Sequence, residues 1–162
     1  MMKMLKKGCV LGVIIFSIIF LVSCGKIKLY DKAKTFCEKL EKYDIDPEKR
    51  KQTVYLDLRE TGDVDNAGSD YATYHFNGAV NYNYAKGSKD EFSYWFTTRY
   101  NTNYTVFLFD NGEGAVKEVL QILQDLGYKE IYGYTEGYEV LRKSKEYTSR
   151  FVETSGLEGC DC

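Results

Sequence analysis

The feature that most constrains this chain is an apolar hexapeptide, Tyr104-Thr105-Val106-Phe107-Leu108-Phe109, followed after a short loop by a strongly amphipathic stretch. A run with no wet side must be covered on both faces, as at the centre of a parallel sheet. The loop is Asp110-Asn111-Gly112-Glu113-Gly114. Beyond it Val116, Val119, Leu120 and Leu123 fall at i, i+3, i+4 and i+7, which predicts a helix over 115–126 with Gly127 placed for its C-terminal cap. The same alternation runs along the chain. Ala33, Phe36, Cys37 and Leu40 predict a helix over 31–43, with Cys37 as a small buried hydrophobe. Residues 45–52 read as turn and loop around Asp46-Pro47, and 53–58 as a strand. A polar loop over 61–70, a strand over 78–82 and a helix over 90–99 carrying Phe92, Trp95 and Phe96 come next. A strand over 130–134 and a helix over 136–147 close the pattern. The expectation is an α/β fold of three layers: a parallel sheet of four to five strands, joined by right-handed crossovers, with helices on both faces. Ligand sites in such sheets form in loops at the carboxyl ends of the strands, which directs attention to Asp110.

The first residues read differently. Lys3, Lys6 and Lys7 precede an apolar run over 10–22 that ends Leu21-Val22-Ser23-Cys24. A positive start followed by a short apolar stretch is the pattern of a secretory leader. Its last four residues resemble the lipobox of bacterial lipoproteins. That resemblance implies cleavage before Cys24, lipid on its thiol, and a domain held on the outer face of the cell membrane by a membrane-stable pair of acyl chains. The competing reading is an uncut signal-anchor helix over 8–25, which is long enough to span but has no aromatic belt beyond Cys24-Gly25. The expected organisation is a signal peptide over 1–23, a lipidated tether over 24–28, one domain over 29–147 and a flexible tail over 148–162.

With 162 residues the chain has room for one core. Removing residues 1–23 leaves 19 basic against 24 acidic residues, a net charge of −5. A mildly acidic domain without a basic stripe excludes nucleic acid as the expected partner. No cofactor or complete metal-ligand set is implied.

Four ordered segments resemble the rhodanese-like domain family. Tyr55-Leu56-Asp57-Leu58-Arg59-Glu60 is similar to its opening strand, and Tyr74-His75-Phe76-Asn77-Gly78-Ala79-Val80-Asn81 to its "G-H-I-P-G-A-I-N" segment. Residues 106–128 follow its active-site strand, loop and helix, and Tyr134-Thr135-Glu136-Gly137-Tyr138 its "L-E-G-G" turn. The resemblance spans roughly residues 28–145. It implies a sulfurtransferase fold in which a Cys at the end of the central strand takes up sulfur, cradled by backbone N–H groups of the loop. Here that position holds Asp110, the loop lacks the family's frequent Arg near Ala115, and Glu113 adds a second negative charge. Aspartate cannot carry sulfane sulfur, and its carboxylate competes for the same donors.

Asp110 is expected mainly as a helix N-cap; a carboxylate nucleophile is the chemical alternative, with no companion base nearby in sequence. His75, the one His of the chain, reads as a hydrogen-bonded structural residue. By the resemblance, Asp57 and Arg59 shape the pocket beside the loop of Asp110, Asn111, Gly112, Glu113, Gly114 and Ala115. Cys160 and Cys162 close the tail. They read as a disulfide, as half of a metal site, or as thiols that replace the missing nucleophile. The residues after Arg150 could extend about 40 Å, beyond the ~14 Å radius of gyration of such a domain. Two functions follow: a non-catalytic module that binds a protein or small ligand at the Asp110 loop, or a thiol or sulfur-transfer enzyme working through Cys160 and Cys162.

Overall fold

The computed structural model describes residues 25–62 and 70–156; Cys24, the leader, Cys160 and Cys162 lie outside the described residues. Five strands form one parallel sheet: β1 (Lys26–Tyr30), β2 (Thr53–Asp57), β4 (Ala79–Asn81), β5 (Thr105–Phe109) and β6 (Glu130–Tyr134). Their order is β1-β6-β5-β2-β4, with the apolar hexapeptide at the centre as the sequence predicts. Two short strands, β3 (His75–Phe76) and β7 (Glu153–Thr154), pair antiparallel as a separate ribbon. The helices are α1 (Ala33–Asp44), α2 (Pro47–Arg50), α3 (Lys89–Thr97), α4 (Ala115–Asp125), α5 (Tyr138–Lys143) and α6 (Lys145–Thr148). Among the described residues no helix is long and apolar enough to cross a membrane.

Successive strand residues point to opposite faces, and this sorts the core into two chemically different layers. Tyr55, Phe107, Phe109, Tyr132 and Tyr134 face α1, α5 and α6, building an aromatic layer with Phe36, Tyr138 and Tyr147. Val54, Leu56, Val106, Leu108 and Ile131 face α3 and α4, building a largely aliphatic layer floored by Phe92 and Phe96. Gly133 is the position where α4 presses closest on the sheet: a Cβ there would lie 2.4 Å from Val116 Cγ1. Ser88 opens α3 with a reciprocal capping box to Glu91. Cys37 is fully buried in the aromatic layer, where burial pushes its thiol up to about 12.

Several expectations need correction. The tether over 24–28 is largely strand: β1 pairs in register with β6 from Lys26↔Glu130 to Tyr30↔Tyr134. Residues 45–52 contain α2, because Asp46 accepts hydrogen bonds from the Glu48 and Lys49 amides and so starts a turn of helix. The last helix over 136–147 is two helices, because Ser144 is extended and its hydroxyl caps Tyr147 N–H, restarting the chain in a new direction. The tail expected to be flexible from 148 is ordered as far as β7.

His75 is structural. Its ring stacks on Tyr71 with centroids 3.9 Å apart, Nδ1 donates to Tyr71 O at 2.9 Å, and Nε2 accepts from Thr154 Oγ1 at 2.8 Å. Burial holds its pKa below the ordinary imidazole value. The unfolded chain therefore binds a proton more readily than the folded one, and stability contributed by His75 is full above about pH 6.5 and falls as the pH drops below it. A melting series from pH 7.5 to 5.0 is expected to show falling Tm in the wild type and a flatter profile in His75→Gln. A wild-type profile that is level across that range would contradict the burial argument.

Candidate functional site

The carboxyl ends of β2 and β5 lie side by side and carry the Asp57-Leu58-Arg59 turn and the Asp110 loop. Asp110 follows β5 directly and is 3% exposed. Its Oδ1 accepts from Gly112 N at 2.7 Å and its Oδ2 from Val116 N at 3.1 Å. The N-cap position of α4 is Gly114, at φ +99°, so Asp110 is not the capping residue itself. It instead reaches across its own loop to an orphan amide in the first turn. The satisfaction of helix amides expected from the sequence is present, delivered from four residues upstream.

Beside it Asp57 and Arg59 form a fully buried ion pair. Arg59 Nη2 lies 2.7 Å from Asp57 Oδ2 and its Nε 3.0 Å from Oδ1, while the Arg59 amide donates to Oδ1 at 3.1 Å. Nη2 also donates to Tyr74 O at 2.7 Å. Burial opposes the guanidinium charge, but the Asp57 carboxylate more than offsets it and Arg59 is held above its ordinary value. Asn81 ties the turn down, donating to the carbonyls of Asp57 and Arg59. Of the two, Arg59 lines the cleft and bonds to the Tyr74 carbonyl, while Asp57 lies wholly buried behind it.

Sequence reasoning missed what lies behind Arg59. Its guanidinium carbon sits 4.2 Å from the Tyr138 ring centroid and 5.4 Å from that of Tyr74, and Arg142 covers Tyr74 at 3.7 Å. Arg142 donates from Nε and Nη2 to the two Glu153 carboxylate oxygens at 2.9 and 3.0 Å, and Tyr138 OH lies 2.6 Å from Tyr147 OH. Glu139 is bonded by Tyr74 and Lys143. Burial works against its charge, but those hydrogen bonds and Arg142 hold its carboxyl below the usual range. The assembly joins β7 to α5 and to the Arg59 turn. Its only sequence signal is the density of Tyr around Tyr74 and Tyr138, which reads equally as core.

The Asp110 loop and the Arg59 turn open on a cleft of about 560 Å³ lined by Arg59, Glu60, Lys89, Asp110, Glu113 and Glu118, among others. Asn111, Gly114 and Ala115 complete its loop side. Gly112 backs against the Glu136–Gly137 backbone, and Tyr138 N donates to Asp110 O at 2.7 Å, fixing the loop from below. Arg59 is already neutralised by Asp57, so carboxylates dominate the cleft. Among the described residues no three His, Cys, Asp or Glu side chains stand together as a metal-ligand set.

Comparison with known proteins agrees with this architecture. The crystal structure of the Alr3790 protein from Anabaena sp. is similar with a TM-score of 0.53 at 11% identity, covering 75% of this chain and 82% of that one. The Rhodanese_3 like domain of the same Anabaena protein gives a TM-score of 0.45 at 12% identity, over 63% of this chain and 98% of that one. At 11% identity the likeness to the first of these structures concerns the fold alone. No curated protein matches the sequence. The sequence model described as Rhodanese-like domain matches residues 39–144, from within α1 to the break after α5, leaving β1 and β7 outside the match. That match covers well over half of the sequence, and the chain belongs to the rhodanese-like domain family.

Proposed function

We propose that this protein is an extracytoplasmic lipoprotein, anchored through Cys24, whose rhodanese-like domain binds a protein or small ligand at the Asp110 loop and has no sulfurtransferase activity. The carboxylate of Asp110 seated on the Gly112 and Val116 amides carries the reading. Asp110 stands where the family's sulfur-accepting Cys is expected and occupies amides that would otherwise meet an anionic sulfur donor. Glu60, Glu113 and Glu118 around the cleft repel such donors further. The described thiol, Cys37, is buried in the core and held protonated, so it offers no nucleophile.

Incubation of the full chain with thiosulfate and cyanide tests this. Wild type is expected to form no thiocyanate and to gain no sulfur by intact mass. Asp110→Cys is expected to gain one sulfur, its thiolate attacking the outer sulfur of thiosulfate and releasing sulfite. Wild-type turnover lost in Cys160→Ser/Cys162→Ser would overturn this reading in favour of catalysis by the tail thiols, which lie outside the described residues.

A further inference from the structure

We infer that the amino-terminal end of the sheet is a membrane-docking face that rests on anionic phospholipid headgroups, leaving the Asp110 cleft at the opposite end directed away from the bilayer. The inference deepens the proposed function and rests on lipid attachment at Cys24. All five strands are parallel, so their amino ends gather at one end of the molecule, where α1 finishes and α2 follows. Lysines collect there around one carboxylate. Lys26 Nζ lies 3.1 Å from Glu130 Oε1, Tyr43 OH donates to Glu130 Oε2 at 2.7 Å, and Lys39 covers the Tyr132 ring at 4.2 Å. Lys49 lies 5.7 Å from the Tyr43 ring. Lys26, Lys42 and Lys49 are close enough to act on the Lys39 ammonium. Two shallow cavities, about 330 and 340 Å³, share Lys26 and Glu130 and add Lys49 on one side and Lys129 on the other. Among the described residues the acids around this end are already engaged: Glu130 with Lys26, Asp44 with Arg50, Asp46 with Lys49, Glu48 with Lys51. Lys39, Lys42 and Lys129 are charge in excess.

Two further observations select a lipid surface. Ile45, between α1 and α2 at this same end, is a 72% exposed aliphatic side chain flanked by Asp44 and Asp46, whose carboxylates are paired with Arg50 and Lys49. Gly25, the residue after Cys24, lies against the Lys129 carbonyl so tightly that a Cβ would come within 2.6 Å of it. One residue, at most ~3.6 Å of chain, therefore separates the lipidated position from β1. An anchor that short holds the lysine face at headgroup depth, and the cleft cannot turn to the bilayer unless β1 frays. Charge agrees with the orientation, because anionic headgroups attract the lysine end and repel the carboxylates of the cleft.

The test uses full-length protein purified from membranes and reconstituted in vesicles of phosphatidylcholine alone or mixed with phosphatidylglycerol. Lysines are acylated with a membrane-impermeant succinimidyl ester and read by peptide mass spectrometry. Lys26, Lys42, Lys49 and Lys129 are expected to react about fivefold more slowly or more on the anionic vesicles, the factor that one lysine near an anionic surface supplies. Lys32, Lys86 and Lys143 are expected to be unchanged, and 1 M salt to remove the difference. Lys42→Gln/Lys49→Gln/Lys129→Gln is expected to restore Lys26 reactivity while the protein still floats with the vesicles. Equal reactivity at both ends, in protein that floats and carries diacylglycerol on Cys24, overturns the docking face alone. Protein that lacks that mass and does not float overturns the anchoring, and the docking face with it.

Discussion

Arg59→Ala is expected to destabilise the domain by about 3–5 kcal/mol, the usual cost of leaving one member of a buried ion pair without its partner. Both side chains of the pair are fully buried, so no water can reach the orphaned Asp57 carboxylate without opening the turn. The substitution also strips a donor from Tyr74 O and a cation from between the Tyr138 and Tyr74 rings. A domain of this kind has ~5–15 kcal/mol in all, so the loss consumes much of its margin. Arg59→Lys is expected to recover only part of it, because an ammonium cannot reproduce the forked contact with Asp57. Asp57→Asn/Arg59→Met is expected to be milder than Arg59→Ala, since neither remaining group is a buried unpaired charge. Urea unfolding at pH 7 measures all three; a shift below ~1 kcal/mol for Arg59→Ala would show that the turn is held by something other than this pair.

The second large effect belongs to Asp110→Ala, expected to cost about 2–4 kcal/mol by removing two charge-assisted hydrogen bonds and stranding their donors. Val116 N is buried at the start of α4, so the amide gains no water in exchange. Asp110→Asn keeps one acceptor oxygen and is expected to fall between alanine and wild type. Amide hydrogen exchange localises the change: Gly112 and Val116 are expected to lose protection, while the amides of β6, remote from the loop, keep theirs relative to global stability. An Asp110→Ala protein as stable as wild type would mean that the carboxylate is a bystander in the loop.

The core of this fold was legible because strong periodicities carried it. The hexapeptide ending at Phe109 has no polar side to expose, and Val116, Val119, Leu120 and Leu123 leave α4 little alternative to helix packed on that strand. Elements held by few residues left weaker traces. β3 and β7 are two residues each, too short for any alternation to register, and exist because Glu153 is captured by Arg142 and Thr154 by His75. β1 looked like a tether because its polar residues follow directly on the leader, although Lys26 and Lys28 alternate with Ile27 and Leu29 as in a strand; its pairing with β6 is a tertiary event. At the site, Asp110 stood out by ending the central strand, and the Asp57–Arg59 pair only through the family resemblance. The Tyr74–Arg142–Glu153 assembly did not, because its members are far apart in sequence and each is common on surfaces. Net charge misled in a similar way: a total of −5 conceals the lysines gathered around Glu130 at the amino-terminal end of the sheet.

The parallel pairing of β1 with β6 has a mechanical consequence. An anchor at Cys24 would deliver any pull into the first residue of β1, along the strand axis. A partner bound at the other end would draw the remainder of the domain the opposite way. The five register pairs from Lys26↔Glu130 to Tyr30↔Tyr134 would then be loaded together in shear, not opened one at a time like a zipper. Force applied between such an anchor and such a partner would thus meet the sheet in its stiffest direction.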